Sequence, residues 1–407
     1  MFNVVKDVKD KSYKYVLIGG GMGSGFATLG IREHDKEGSI LIVSREQFVP
    51  YERPALTKKL WRDEDFTVED IQIGVEEEDN VDFAPERDVV EISPKDKTVT
   101  LENGAVVSYE KLLLSTGGEP RTIEGPKDEN VFAFREEDDY LKLRKLSQKN
   151  QHVIIVGGGY IGSELADSLA QNDTKVTMVF PQSQLGEGMF PEELLSEYNA
   201  LFKDRGITLM SGKKASRYRR NGDELVLELD DGSEVTGDAI VIGLGVEPRI
   251  ELAKKAGLET SDDGVLVNER LETSEPDIYA AGDIATYPDQ ILGRQRIEHV
   301  DHARNSGKQV GEIMAGGKEA YTHTPYFYSD ISDLSWEAIG TMDPELETLF
   351  DEREDGKIVF FLEEDVLKGV LLWNVEVDLD DVRDLLDNPP AKEDLVGKLE
   401  EQEEEEE

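Results

Sequence analysis

Two glycine-rich stretches of the chain have the spacing of dinucleotide-binding turns. They contain, in chain order, Gly19, Gly21 and Ser24, and then Gly157, Gly159 and Gly162. In such a turn the first glycine permits a tight bend, the second lets the backbone approach a pyrophosphate, and the third small residue lets the next helix pack on the strand. The amide groups and the positive dipole end of that helix attract phosphate. One such turn can also be a tight strand-to-helix connection without a ligand, but two predict two bound dinucleotides, the minimum for passing electrons between a flavin and a nicotinamide.

The segments around both turns have the pattern of βαβ units. Around the first turn, Tyr13 to Ile18 reads as a buried strand, a helix extends to about His34, and Ile40 to Val43 forms the next strand. Around the second turn, the apolar run HVIIV precedes the glycines, and Lys175 to Phe180 is the following strand. Both units therefore predict parallel sheets with the glycine turns at their carboxyl edges.

An internal repeat supports two related domains independently of the glycine turns. Residues 101–121 align without a gap on residues 229–249, with seven of the 21 positions identical. Each copy contains a dipeptide suited to a hairpin turn, Asn103-Gly104 in the first and Asp231-Gly232 in the second. Each then continues through an apolar strand into a glycine-containing loop that ends in Glu-Pro-Arg.

These patterns predict an α/β protein with two Rossmann-like, doubly wound domains and a smaller carboxyl-terminal α+β domain. Its closing helix is expected near Asp380 to Leu386. The predicted boundaries are residues 1–125 with 246–320 for the first dinucleotide-binding domain, 126–245 for the second and 321–399 for the α+β domain. Residues 400–407, almost all Glu, are predicted to be a disordered acidic tail.

Composition excludes several classes of function. The 407 residues carry a formal charge of −44 and no cysteine. The missing cysteine excludes disulfides, thiolate zinc sites, iron–sulfur ligation and a cysteine nucleophile. The negative charge argues against nucleic-acid binding, no apolar run is long enough for a membrane span, and a cytoplasmic location is the expectation. His299 and His302 stand at helical spacing, but nothing near them completes a ligand set, so no metal site is predicted.

Two further stretches contain candidate functional residues. The segment Val49 to Trp61 places Arg53, Lys58 and Lys59 among aromatic residues and prolines in an otherwise acidic chain, although a solvated helix start after Pro54 is the alternative.

A strand from Ile278 to Ala281 leads into Gly282 and Asp283. We expect the Asp283 carboxylate to hold ribityl hydroxyls. A helix-like stretch that follows it is expected to point its amino terminus at a phosphate.

The motifs PYERPALTKKLW, VGGGYIGSELA, AGDIA, RIEHVDHA and YFYSDISDLSWEAIG together resemble the FAD- and NAD-dependent pyridine nucleotide oxidoreductases. Within that superfamily they are most similar to apoptosis-inducing factor and more distantly to ferredoxin and monodehydroascorbate reductases. The resemblance covers nearly the whole chain.

The resemblance implies that residues 1–125 with 246–320 form an FAD-binding domain and residues 126–245 an NAD(P)H-binding domain. It also implies roles for particular residues. The implied FAD contacts are Gly19, Gly21, Ser24, Glu46, Arg53, Lys58, Thr116, Gly117, Arg135, Asp283 and His299. The implied NAD contacts are Gly157, Gly159, Tyr160, Gly162, Glu164, Gln182, Gly245 and Glu298. Three of these, Lys58, Glu164 and His299, are implied to be catalytic. Lys58 would pair with Glu164 near the reactive edge of the flavin, and Tyr160 would shield the flavin where nicotinamide must stack. Tyr328 stands where the family often has tryptophan.

The chain departs from the family pattern in three ways. Where an acid usually holds the adenosine ribose of FAD, Arg45 aligns, and Glu46 would substitute through a one-residue shift. Gln182 aligns with the glutamate that favours NAD, so the expected preference leans to NADH and NADPH is not excluded. The redox cysteines of the disulfide reductases are absent, which excludes that branch of the chemistry.

The leading hypothesis is an FAD-dependent NAD(P)H oxidoreductase in which hydride passes from NAD(P)H to FAD N5. Electrons would then go to a quinone, a small oxidant, oxygen or a redox protein. The alternative is a redox sensor in which NADH forms a long-lived flavin complex that changes conformation or oligomeric state for a partner. The chain is expected to be a monomer or a redox-dependent homodimer, without nucleic-acid partners.

Overall fold

The structure of the chain is a computed structural model that describes residues 1–147 and 151–402. It divides into two compact units, each assembled from segments that are separated in sequence. Unit 1 comprises Met1–Ala55, Thr67–Glu119 and Val246–Pro325, whereas unit 2 comprises Leu56–Phe66, Pro120–Gly245 and Tyr326–Glu407. The three-domain division expected from the sequence stays a prediction.

The elements are numbered in chain order. The α-helices of the described residues are α1 (Met22–His34), α2 (Lys59–Arg62), α3 (Glu137–Leu146), α4 (Tyr160–Gln171), α5 (Glu192–Asp204), α6 (Glu251–Lys255), α7 (Val300–Met314) and α8 (Leu379–Asp387). The strands before Gly245 are β1 (Asn3–Val4), β2 (Ser12–Ile18), β3 (Ile40–Val43), β4 (Val81–Ala84), β5 (Val89–Ser93), β6 (Thr98–Leu101), β7 (Val106–Leu114), β8 (Gly118–Pro120), β9 (Val131–Ala133), β10 (His152–Val156), β11 (Lys175–Val179), β12 (Thr208–Met210), β13 (Ala215–Asn221), β14 (Glu224–Leu229), β15 (Glu234–Gly237) and β16 (Ala239–Ile242). The strands after it are β17 (Val246–Pro248), β18 (Val265–Leu266), β19 (Ile278–Ala280), β20 (Ala285–Asp289), β21 (Gly293–Arg296), β22 (Tyr326–Ile331), β23 (Leu334–Gly340), β24 (Glu347–Glu352), β25 (Lys357–Glu363) and β26 (Val366–Trp373).

Unit 1 is built on a sheet in the order β1-β4-β3-β2-β7-β6-β5, with β19 also pairing with β7. The strands β1, β4, β3, β2, β7 and β19 are parallel, whereas β5 and β6 run antiparallel at one edge. All four residues of β3 are buried, as are the last four of β2, which fits strands covered on both faces. The predicted first βαβ unit is therefore confirmed, and α1 begins directly after the first glycine turn.

Helices α1 and α7 of unit 1 pack in parallel at very close range. A Cβ added to Gly307 would clash with backbone atoms of Gly23, and one added to Gly311 would clash with backbone atoms of Ala27. Only glycine permits this approach of two helix backbones. Because the helices run in the same direction, they begin at the same end, so α7 starts on the side where the glycine turn lies.

Unit 2 contains an all-parallel sheet in the order β12-β11-β10-β16-β9. The second βαβ unit is formed by β10, α4 and β11, and β11 ends one residue before the predicted end at Phe180. Both predicted hairpins form, since β6 pairs with β7 and β14 pairs with β15 antiparallel. Gly104 and Gly232 each adopt a positive φ at these turns, of 80° and 82°.

The carboxyl-terminal part of unit 2 is an antiparallel sheet in the order β22-β23-β26-β25-β24, followed by α8 where a helix was expected. The strand β24 lies in a segment for which the sequence predicted no element. Of the predicted acidic tail, Glu401 forms a β-bridge with Val377, and residues 403–407 lie outside the described residues.

One predicted element is wrong. The stretch after Asp283 was expected to be helical, but it is the strand β20, which pairs with β18 and β21. The β-branched and aromatic side chains of Thr286 and Tyr287 suit a strand, and both are buried in it.

Candidate functional site

The first glycine loop of unit 1 has the backbone geometry that only glycine allows. Gly19 has φ of 119°, and a Cβ there would clash with the carbonyl oxygen of Ser115 on the neighbouring strand. Gly21 caps α1 without any side-chain hydrogen bond, and Ser24 is fully buried behind it. The first amide groups of α1 therefore carry no side-chain cap, which is the arrangement that accepts a phosphate.

Glu46, Tyr51 and Arg53 meet beside this loop. Tyr51 donates a hydrogen bond of 2.6 Å to Glu46, and Arg53 forms an ion pair with the same carboxylate. The guanidinium nitrogen Nη2 of Arg53 lies 3.6 Å from the position of a Cβ on Gly21. The structure thus places Glu46 beside the first glycine loop, and its contact with FAD stays a prediction. Arg45 instead pairs with Asp88 and Glu119.

Thr116 and Gly117 form a fixed turn in unit 1. The Thr116 hydroxyl donates to the carbonyl of Arg249 at 2.8 Å, and the Arg249 amide donates to the carbonyl of Gly117 at 2.9 Å. Gly117 has φ of 60°. These contacts fix the backbone of the loop that follows β7.

Arg296 forms hydrogen bonds to two other predicted site segments of unit 1. Its Nη1 donates to the backbone carbonyl of Asp283 at 2.9 Å and to the carboxylate of Glu298 at 2.6 Å. The next residue, His299, is the cap of α7, and its Nδ1 accepts a hydrogen bond from the Asp301 amide at 3.3 Å. In the neutral ring the proton therefore resides on Nε2.

His302, one turn further along α7, has a different role from His299. Its ring is fully buried, stacks on Tyr287 with 4.6 Å between ring centroids, and is hydrogen-bonded to the Tyr321 hydroxyl at 2.9 Å. Burial lowers the pKa of His302 from 6.5 to about 4. His302 is therefore a neutral core residue of unit 1.

This burial predicts a pH dependence of stability. Between pH 6.5 and 4 the unfolded chain binds a proton at His302 that the folded chain excludes, so the free energy of unfolding should fall as the pH falls through this range. The contribution of this one group is on the order of 3 kcal/mol. Chemical denaturation of the wild type and of His302→Gln at several pH values measures it, and the variant should show the shallower slope. Equal slopes would mean that His302 is protonated in the folded protein.

The second glycine loop, in unit 2, repeats the geometry of the first. Gly157 has φ of 114°, and a Cβ there would clash with the carbonyl oxygen of Gly243. A Cβ on Gly162 would clash with the carbonyl oxygen of Gly157, so this small residue lets α4 pack on the turn. Gly159 caps α4 without a side-chain hydrogen bond, and a Cβ there would meet no atom within 4 Å. This end of α4 faces open space.

Lys58 and Glu164 form a largely buried ion pair in unit 2. Lys58 Nζ lies 3.1 Å from Glu164 Oε1, and the two side chains retain 12% and 8% of their accessible surface. The Glu164 carboxylate also accepts hydrogen bonds from the Ser329 hydroxyl at 2.6 Å and from the Thr57 hydroxyl at 2.5 Å. These three donors satisfy the buried carboxylate and set its orientation.

The Lys58 ammonium has two further neighbours. It lies 4.1 Å from the centroid of the Tyr328 ring and 4.0 Å from the Asp330 carboxylate. An aromatic face and two carboxylates thus surround the ammonium.

A second ion pair joins the same two helices, α2 and α4. Arg62 Nη2 lies 2.9 Å from the carboxylate of Asp167, which is 1% exposed and also accepts a hydrogen bond from the Ser332 amide at 2.9 Å. Arg62 follows Lys58 by four residues and Asp167 follows Glu164 by three, so the two pairs are adjacent along the helices. This second pair therefore helps to hold α2, which directly follows Lys58, against α4.

Tyr160, the first residue of α4, packs on Trp336 with 5.5 Å between ring centroids while retaining 37% of its accessible surface. Desolvation by neighbouring groups raises the pKa of its phenol to about 12, and the charge of Glu164 adds to this shift. The phenol is thus neutral at physiological pH and offers a flat, accessible ring next to Gly159.

The remaining candidates of unit 2 lie on loops or at a helix start. Gln182 is exposed just after β11, and Gly245, with φ of 78°, has room for a Cβ without any neighbour within 4 Å. Arg135 lies two residues before the start of α3, where its backbone amide donates to the Asp139 carboxylate at 3.0 Å.

Among the residues missed at the sequence level are three that donate hydrogen bonds to carboxylates of predicted site residues. They are Tyr51, which holds Glu46, and Thr57 and Ser329, which hold Glu164. Thr57 immediately precedes Lys58 and Ser329 immediately follows Tyr328, so adjacency to a candidate was the only available signal. The separations of 107 and 165 residues from Glu164 give no local pattern.

The basic stretch of strand β13 is compensated by acids within unit 2. Arg217 and Arg219 both pair with Glu228, and Arg220 pairs with Asp128. Lys213, just before the strand, pairs with Asp231. These ion pairs reduce the positive field that this stretch presents to a polyanion. In the described part of the chain, no helix combines the length and apolar composition that a bilayer span requires.

Two dinucleotide-type βαβ units and an internally satisfied Lys–Glu pair define a nicotinamide-dependent flavoprotein oxidoreductase. The chain belongs to the pyridine nucleotide-disulphide oxidoreductase family, whose model matches residues 13–307. Relatives in this family use FAD and NAD(P)H, the two cofactors that the glycine motifs predict.

Curated relatives fall in the branches that the motifs indicated. The chain is 31% identical to apoptosis-inducing factor 1, mitochondrial, of Dictyostelium discoideum, over 95% of this chain and 80% of that protein. It is 33% identical to monodehydroascorbate reductase 3 of Arabidopsis thaliana, over 82% of each chain. It is 31% identical to the ferredoxin–NAD(+) reductase component of a 3-phenylpropionate/cinnamic acid dioxygenase of Photorhabdus laumondii, over 93% of this chain and 97% of that protein.

Solved structures confirm the fold class. A ferredoxin reductase from Rhodopseudomonas palustris matches with a TM-score of 0.80 at 25% identity, over 89% of this chain and 91% of that chain. Putidaredoxin reductase, in its covalent complex with putidaredoxin, matches with a TM-score of 0.84 at 24% identity, over 93% of both chains.

Proposed function

We propose that the chain is an FAD-dependent NAD(P)H oxidoreductase of the non-disulfide type. FAD would bind at the first glycine loop and NAD(P)H at the second. The amino termini of α1 and α4 support this assignment, since each combines amide groups that lack a side-chain cap with a glycine backbone that lets a pyrophosphate approach. When bound, NAD(P)H supplies a hydride and FAD accepts it before electrons leave to an acceptor.

The observation that carries the proposal is the Lys58–Glu164 pair with its two hydroxyl donors. A cation of fixed position can stabilise the negative charge that reduction places on a flavin ring, and a prearranged cation does so without reorganisation. Glu164 holds Lys58 in place, while the hydroxyl groups of Thr57 and Ser329 fix the orientation of Glu164.

The other site residues would bind and orient the cofactors. Arg53 and Glu46 lie beside the first glycine loop, where they can contact a phosphate and a ribose. Arg296 donates hydrogen bonds to the backbone carbonyl of Asp283 and to the carboxylate of Glu298, so it holds these two residues close together in unit 1. His299, the cap of α7, would lie beside the flavin ring.

The electron acceptor would be a quinone, another small oxidant, oxygen or a redox protein. Because the chain has no cysteine, no thiol relay can carry electrons onward. An acidic redox protein would be repelled by a surface of charge −44, so its reduction rate should rise steeply with added salt. Reduction of a neutral quinone should depend little on salt, and this comparison separates the two classes of acceptor.

A redox sensor is the second candidate, and Tyr160 favours it. This exposed ring at the start of α4, backed by buried Trp336, could cover a bound nicotinamide and slow its release. A slowly reoxidised complex would then report the NADH level through a change of conformation or oligomeric state.

Reoxidation after anaerobic reduction by NADH separates the two functions. If the protein is an enzyme, addition of a quinone or ferricyanide should restore the absorbance of the oxidised flavin within the mixing time of the experiment. Its elution volume in size-exclusion chromatography should be the same in both redox states. A sensor should retain a long-wavelength charge-transfer band for minutes and should change its elution volume on reduction.

A further inference from the structure

The loop after β11 lacks the acid that usually discriminates between NADH and NADPH. At this place an acidic side chain binds the adenosine ribose hydroxyls and repels a 2′-phosphate. Gln182 occupies the position, and its neutral amide cannot repel a phosphate.

The carboxylate of Glu187, a residue further along the chain, nevertheless lies close to this position. Glu187 Oε2 accepts hydrogen bonds from the Ser183 amide at 2.6 Å, from the Ser183 hydroxyl at 2.7 Å and from the Gln184 amide at 3.2 Å. Led by the Ser183 hydroxyl bond, these contacts lower the pKa of the Glu187 carboxyl. All three donors belong to the two residues that directly follow Gln182, so the negative charge lies next to the position of the missing acid.

The loop that carries Glu187 is packed against the second glycine turn. A Cβ added to Gly158 would lie 2.7 Å from Leu185 Cδ1 and 3.3 Å from Phe180 Cβ. Leu185 is itself fully buried and is fixed by Asn199, whose side chain bonds to both the amide and the carbonyl of Leu185 at 3.0 and 2.8 Å. The carboxylate is therefore held by a rigid loop beside the turn that is proposed to bind the dinucleotide.

Two lysines also lie near this loop, but acids accompany both. The Gly212 amide donates to the carbonyl of Gln182 at 2.7 Å, which brings Lys213 and Lys214 alongside. Lys213 is ion-paired with Asp231, and the backbone amide of Lys214 donates to the carboxylate of Asp230 at 3.1 Å. Because Asp231 compensates the ammonium of Lys213, this lysine adds little net positive charge beside the loop.

We propose that Glu187 is the specificity-determining acid of the nicotinamide nucleotide site. Its carboxylate replaces the missing acid at position 182, binds the ribose hydroxyls of NADH and disfavours the 2′-phosphate of NADPH. This inference rests on the proposed binding of NAD(P)H at the second glycine loop. It makes the chain selective for NADH although the position of the usual acid is neutral.

The test compares Glu187→Gln with the wild type, using both a kinetic and a binding measurement. We expect the ratio of kcat/KM for NADPH to that for NADH to rise about tenfold in the variant. Calorimetric titration with 2′,5′-ADP should show the same gain relative to 5′-AMP. The amide oxygen of the introduced glutamine could still accept hydrogen bonds, so the loop should keep its conformation. The matched control is Glu193→Gln, which removes an exposed negative charge at the start of α5 and should leave both ratios unchanged.

Unchanged ratios in a folded Glu187→Gln variant would overturn the role of Glu187 while leaving nucleotide binding in place. Equal gains in the Glu187 and Glu193 variants would overturn it as well, because a general charge effect would then account for the selectivity. If the wild type bound neither 5′-AMP nor NADH, the proposed nucleotide site itself would fail, and the inference with it.

Discussion

Replacement of Lys58 by alanine should slow the reduction of bound FAD by NADH about 100-fold, with little loss of bound flavin. The ammonium is held 3.1 Å from Glu164 Oε1 and 4.1 Å from the centroid of the Tyr328 ring. Without it, the negative charge of the reduced ring loses a prearranged counter-charge. Stopped-flow absorbance under anaerobic conditions measures the rate constant directly.

Two variants control this experiment. Lys58→Arg keeps the charge and should restore part of the rate. Lys59→Ala removes the next lysine, whose ammonium lies over the ring of Phe66 at 4.2 Å, and should behave as the wild type. Melting temperatures of all variants show whether the buried Glu164 still finds its hydroxyl partners. A Lys58→Ala protein that is reduced at a rate within about twofold of the wild type would rule out the electrostatic role.

Replacement of Gly159 by aspartate should weaken the apparent affinity for NADH by at least about 100-fold while preserving the fold and the flavin. Gly159 has φ of −81°, which any residue adopts, and a Cβ there meets nothing within 4 Å. The new carboxylate would therefore be accommodated sterically. Its charge would stand at the amino terminus of α4, where the nucleotide pyrophosphate is proposed to bind.

The neighbouring glycine provides the contrast. Gly157→Ala places a Cβ against the carbonyl oxygen of Gly243 at φ of 114°, so it should lower the melting temperature as well as the affinity. Dithionite should still reduce the flavin of Gly159→Asp at the wild-type rate, because that reagent needs no nucleotide site. Normal NADH affinity in Gly159→Asp would place the nucleotide elsewhere.

The sequence predicted those parts of the fold that depend on local patterns. These parts are both βαβ units, both hairpins and the last helix. Each has a periodic pattern of apolar residues or contains turn residues with positive φ, and the observed elements lie within a residue or two of the expected bounds. The stretch after Asp283 was assigned wrongly because a short apolar segment has no decisive period.

The support of the candidate site was not predictable in this way. Glu164 is held by Thr57 and Ser329, which reach it from distant parts of the sequence, and hydroxyl residues of this kind are common everywhere. The carboxylate of Glu187 likewise lies near position 182 only because the loop folds back, so that Glu187 accepts hydrogen bonds from Ser183 and Gln184. Motifs identified Lys58 and Glu164, whereas the residues that orient Glu164, and Glu187 itself, required the three-dimensional structure.

An anaerobic titration of the purified protein with NADH tests the central proposal most directly. The account predicts that the protein carries FAD and that one equivalent of NADH per flavin bleaches the flavin absorbance completely. A protein that binds no flavin, or whose flavin is reduced by dithionite but not by excess NADH or NADPH, would contradict it.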